Sequence, residues 1–116
     1  MVRSEEQKII DGGYSLENIG VNGIAYPKID ALKIAHDYFV SGMPILGGDV
    51  YVLKNGLLER TYDNWYYNQG ADESAPEYIK NSYERTDKFI RNYSDNANYL
   101  FCIVVDKDFN KSDAEK

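Results

Sequence analysis

The sequence predicts an α+β domain in which a small antiparallel sheet of about three strands packs against helices, and three observations predict it. Asn55-Gly56 lies between two apolar runs, the signature of a two-residue hairpin whose central residues both need positive φ. Tyr99-Leu100-Phe101-Cys102-Ile103-Val104-Val105 is apolar on both faces, as in a covered or central strand. Between these runs Ile79, Ser82, Thr86, Phe89, Ile90 and Tyr93 form a helical stripe, opposite a face carrying Lys80, Glu84, Arg85, Asp87, Lys88 and Arg91.

In chain order, Ser4-Glu5-Glu6-Gln7 reads as a capping box that opens a short helix, and Gly12-Gly13 ends it. The stretch from Ser15 to Gly23 is turn-rich, with a bend at Asn22-Gly23. A second helix starts near Pro27, whose missing N–H suits a first turn. Leu32, Ala35 and Phe39 share its apolar face, Ile34 and Tyr38 lie beside them, and Ser41-Gly42 with Pro44 close it. Pro44 to Gly48 then reads as a tight helix-to-strand connection. Gly47 and Gly48 would supply its unusual backbone angles, and Asp49 would cap it or face a partner.

Asp49 to Leu53 is the first hairpin strand, and Leu57 to Tyr62 the return strand, extending through Tyr67 after a bend at Asp63-Asn64. A loop from Gln69 leads to Ser74-Ala75-Pro76-Glu77, a second capping box with proline in the first helical turn. Asn92 to Asn98 is a turn, and the polar tail Asp106 to Lys116 is expected to fray. The predicted order is α-α-β-β-α-β, one domain over residues 1–116.

Charge narrows the function. Nineteen Asp and Glu against 13 Lys and Arg give a net charge of −6, which repels phosphate backbones and argues against direct nucleic-acid binding. No apolar run is long enough to span a bilayer, and the start of the chain does not resemble a signal peptide. Cys102 is the single cysteine, so no intrachain disulfide forms and a cytoplasmic location is expected.

Chemistry finds little support. His36 is the sole histidine, and its neighbour Asp37 points elsewhere on a helix, so the pair is no dyad. No zinc or calcium pattern occurs, and no metal or cofactor is expected. Cys102 sits in an apolar strand, where a thiol behaves as a small hydrophobe. The glycines of Gly47-Gly48-Asp49 precede a strand, whereas phosphate loops follow one and open a helix. Carboxylate pairs for glycoside chemistry are available among Asp63, Asp72, Glu73 and Glu77, but a small domain offers them little enclosed volume. An enzyme is not expected.

Recognition is better supported. From Thr61 to Ile79 the chain has five aromatics, four carboxylates and no Lys or Arg. Successive strand residues point to opposite faces, so Tyr62 to Tyr67 cannot all be core. Asp63, Trp65, Tyr66, Tyr67, Asp72 and Glu73 are therefore the candidate partner-binding residues: an aromatic centre with an acidic rim suited to a basic partner. Tyr66 or Tyr67 is the expected exposed ring, and Trp65 the more buried one.

The run Met43-Pro44-Ile45-Leu46-Gly47-Gly48-Asp49-Val50-Tyr51-Val52-Leu53, followed by Tyr62-Asp63-Asn64-Trp65, resembles one of the small immunity-protein families of bacterial polymorphic toxin systems, the one numbered forty. The resemblance covers roughly Ile29 to Val105 on these motifs. It implies a cytosolic antitoxin that binds the toxin domain of a secreted effector and blocks it without catalysis. It transfers no interface residue by residue. Acidity favours a basic toxin, as nucleases commonly are, and peptidase, deaminase and pore-forming toxins stand beside that class. Two alternatives stand beside this reading. One is a carbohydrate-binding or accessory domain using Trp65, Tyr66 and Tyr67 as a stacking surface. The other is a homodimer formed through the sheet edge.

Overall fold

The structure, a computed structural model, describes residues 9, 10 and 12–109. Its elements are β1 (Ile9–Ile10), β2 (Gly13–Ser15), a 3-10 turn (Glu17–Ile19), β3 (Ile24–Pro27), α1 (Lys28–Val40), β4 (Ile45–Lys54), β5 (Leu57–Tyr66), α2 (Ala75–Asn92) and β6 (Tyr99–Val105). The strands form one antiparallel sheet in the order β1-β2-β3-β6-β4-β5, and β1 is only two residues long.

The hairpin, the last strand and the last helix form as the sequence predicts. Asn55 and Gly56 take φ of +52° and +79°, and Lys54 pairs with Leu57 across them. Gly56→Val is expected to cost about 1 kcal/mol or more, because a β-branched residue resists that φ. Denaturant unfolding checks this, and an unchanged midpoint would contradict the turn. Ser74 caps α2 with its side chain accepting from Glu77 N, while the Glu77 carboxylate accepts from Ser74 N. β6 lies between β3 and β4, which explains its apolar character on both faces.

Other expectations are corrected. Among the described residues the sheet has six strands where about three were predicted from pattern, and the order of regular elements is β-β-β-α-β-β-α-β. The capping box at Ser4 to Gln7 lies outside the described residues, but Ile9–Ile10 is a strand, and Gly12, at φ +85°, turns it into β2. Strands of two to four residues carry too short a pattern to read, and pairing alone creates them. Gly47 and Gly48 lie inside β4 and not in a connection before it, and Asp49 pairs with Asn64 and Cys102 in mid-strand instead of capping a turn. The tail is held at its start. Asp106 N donates to Pro44 O, Tyr78 Oη donates to Asp106, and the Phe109 ring stands edge-on to Tyr78.

Two cores flank the sheet. On the helical face Ala31, Val50, Trp65, Ile90 and Phe101 pack together. Two polar residues in the α2 stripe fasten that helix to the sheet: Ser82 Oγ accepts from Ile45 N, and Thr86 Oγ1 accepts from Trp65 Nε1 at 2.9 Å. Lys28 donates to the Tyr93 carbonyl at 2.7 Å and pairs with Asp95, joining the start of α1 to the end of α2. On the other face Leu16, Ala25, Tyr51, Leu58, Leu100 and Cys102 form the second core, under the segment that includes the 3-10 turn.

Candidate functional site

That second core covers only part of its sheet face. Cross-strand partners share a face, so Tyr66, Gly47 and Val104 form one row across β5, β4 and β6, and Asn64, Asp49 and Cys102 form the next. Leu16 and its neighbours stop at Cys102. Beyond it Val104, Leu46 and Tyr66 are exposed, Tyr66 at 68%.

The glycines make this end of the sheet flat and close. A Cβ on Gly47 would lie 2.1 Å from Trp65 O, and one on Gly48 would lie 2.3 Å from Cys102 O. Side chains are excluded there, which leaves a shallow hollow of about 240 Å³ bordered by Leu46, Gly47, Asp49, Asn64 and Val104.

Next to it β5 bulges. Asp49 pairs with Asn64 and Tyr51 with Arg60, so Thr61, Tyr62 and Asp63 stand opposite Val50 alone. The Thr61 hydroxyl organises the extra residues: it donates to Val50 O at 2.8 Å and accepts from Asp63 N at 3.1 Å. Tyr62, at the tip, has φ +67° and is 83% exposed. A second cleft of about 120 Å³ opens beside it, lined by Asp49, Arg60, Tyr62, Asp63 and Asn64. Small-molecule pockets usually run to about 300–1,000 Å³, so neither hollow has the form of an enclosed substrate site.

The six candidate residues separate. Trp65 is 2% exposed, stacked on Phe89 with ring centroids 4.8 Å apart. Tyr66 is its exposed neighbour on the opposite face. Tyr67 is half-buried, and its hydroxyl donates to Glu73. No stacking surface of Trp65, Tyr66 and Tyr67 forms, because strand alternation sends adjacent rings to opposite sides.

Glu73 is an organiser of its loop. Its carboxylate also accepts from Asn81 Nδ2 and Gly70 N, and these bonds, that from Tyr67 foremost, hold its pKa below the usual carboxylate range. Asp72 beside it is exposed. Asp63 accepts from Tyr93 Oη; burial and then this bond push the Tyr93 phenol up to about 12.

Two residues escaped the sequence reading as site members: Tyr62, and Asn64 beside Asp49. The signal for the bulge was present in Thr61-Tyr62-Asp63, a hydroxyl two residues before a short polar residue inside a strand pattern. The expected bend at Asp63-Asn64 is therefore centred slightly earlier.

His36 is exposed near the Phe39 and Tyr83 rings. Among the described residues no group of three or more His, Cys, Asp or Glu is placed to hold a metal ion, and no helix is long and apolar enough to cross a membrane. The uncovered end of the sheet, with its glycine floor and exposed rings, is the candidate site.

A family model described as Immunity protein 40 matches residues 15–105. The chain belongs to the Immunity protein 40 family. The match runs from the last residue of β2 to the end of β6, so the residues of both cores, the bulge and the uncovered sheet end lie within the family domain. No curated protein and no solved structure matches the chain.

Proposed function

We propose that this member of the Immunity protein 40 family neutralises a cognate toxin domain by stoichiometric binding through the uncovered end of its sheet. One observation carries the choice of surface. A non-glycine residue at positive φ costs on the order of 1–3 kcal/mol, and such strain concentrates where a function uses it. Tyr62 bears that cost while its hydroxyl makes no hydrogen bond and its ring no aromatic contact among the described residues, and the side chain is 83% exposed. The bulge holds an aromatic ring in solvent on the same strand as the exposed Tyr66, available to a partner as a hot spot.

The protein works by occupying the toxin and performs no chemistry of its own. It acts in the cytosol, where the toxin would otherwise damage the producing cell, and a basic nuclease suits its acidity. A homodimer through the sheet edge is the weaker reading, since the bulge interrupts the outer strand on which such pairing depends.

Tyr62→Gly separates binding from folding. Glycine relieves the positive φ, so stability is expected to hold or to rise by up to about 1 kcal/mol. Affinity for the toxin domain encoded by the neighbouring gene should fall by about 2 kcal/mol, and protection of cells expressing that toxin should weaken with it. Unchanged affinity in the folded variant would move the interface elsewhere.

A further inference from the structure

Asp49 stands at the centre of the uncovered sheet end, bordering both hollows together with Asn64. It is exposed, and its carboxylate takes part in no hydrogen bond or ion pair among the described residues. The surroundings do not neutralise it. Ile45 to Leu53, Thr61 to Ile79 and Tyr99 to Asp106 contain no Lys, Arg or His. The strands crossing this end carry the carboxylates of Asp49 and Asp63, with Asp106 just beyond β6, and one cation at the cleft, Arg60 of β5.

Two cations lie nearby. The guanidinium of Arg60 is turned toward the 3-10 turn, where it donates to Ile19 O at 3.0 Å. Lys107 follows β6 and borders a different groove, with Tyr38 of α1.

The cleft of about 120 Å³ admits one long side chain; Arg60, held by Ile19 O, and Asp63, held by Tyr93, also border it, and three further walls are open to a ligand. Asp49 offers a carboxylate, Asn64 an amide oxygen, and Tyr62 an aromatic face. A planar guanidinium satisfies all three, by charge-assisted hydrogen bonds in its plane and stacking on its face. From this geometry we infer that the partner seats an arginine side chain in the cleft, paired with Asp49 and Asn64 and flanked by the Tyr62 ring. This inference rests on the toxin-binding reading and names the chemistry of its central contact.

The test uses the full chain and the purified toxin domain encoded by the neighbouring gene, with Glu84→Gln, exposed on α2, as a control for lost charge. The Asp49 side chain makes no hydrogen bond or ion pair among the described residues, so Asp49→Asn and Asp49→Lys are expected to melt with the parent. Affinity should fall about tenfold or more for Asp49→Asn and about a hundredfold or more for Asp49→Lys, mainly through faster dissociation. Glu84→Gln should alter only association at low salt. Selection of toxin variants that regain binding to Asp49→Lys should return arginine replaced by Glu or Asp.

If the parent chain binds no toxin, the immunity reading itself falls. If the parent binds and Asp49→Lys binds equally well, only the arginine contact is overturned. Equal losses in Asp49→Asn and Glu84→Gln would reduce the effect to long-range charge and also overturn it. A free-chain dimer that Asp49→Lys dissociates would assign the face to a second copy of this chain.

Discussion

Trp65→Ala is expected to destabilise the protein by about 3–5 kcal/mol, the usual cost of emptying a large aromatic site in a packed core. The indole is 2% exposed, stacks on Phe89 and covers Gly48. Its Nε1 donates to Thr86, so truncation also leaves a buried hydroxyl of α2 without that donor. For a domain of this size the melting temperature should drop by roughly 12 °C or more. Tyr66→Ala, one residue along on the exposed face, should leave stability nearly unchanged. Paired thermal and urea unfolding of the two variants decides the matter. Equal stabilities would mean that the strand alternation placing Trp65 inside and Tyr66 outside is wrong.

Gly47→Ala is the second large effect, and it acts through the backbone. Gly47 has φ +150°, and the added Cβ would lie 2.1 Å from Trp65 O and 2.8 Å from Tyr66 Cα. Both obstacles are main chain of the neighbouring strand, so no side chain can swing away to make room. β4 and β5 would have to separate at the very rows that form the candidate site. Backbone strain and overpacking together should cost about 3 kcal/mol or more. Gly70→Ala is the matched control, because its Cβ would meet nothing nearer than 3.6 Å. Urea midpoints that fall together for both variants, or for neither, would contradict the close approach of β5 to Gly47.

The same pair of positions shows how much of the site the sequence displayed. Gly47-Gly48-Asp49 is conspicuous as a string, but a helix-to-strand connection and a strand interior make similar local demands on glycine. Only the neighbouring strand, pressing its backbone against Gly47 and a tryptophan ring against Gly48, distinguishes them. Likewise the aromatic-acidic composition from Tyr62 to Glu73 marks a segment and not a surface. Alternation divides its rings between core and solvent, hydrogen bonds draw Glu73 into its loop, and a bulge brings out Tyr62.

By itself the sequence determined what depends on neighbouring residues along the chain. The Asn55-Gly56 turn follows from the φ its residues tolerate, the α2 start from the Ser74 and Glu77 side chains, and the central place of β6 from apolar residues on both faces. The tertiary structure decided what depends on contacts between distant segments. It made strands of Ile9–Ile10, Gly13–Ser15 and Ile24–Pro27, segments too short to declare themselves, by pairing them in series beside β6. It also left one end of a sheet face bare, with Asp49 at its centre, because the segment around Leu16 covers that face only as far as Cys102. Local conformational preference is written into a few adjacent residues, whereas burial and exposure are set by whatever else the fold brings to the same place.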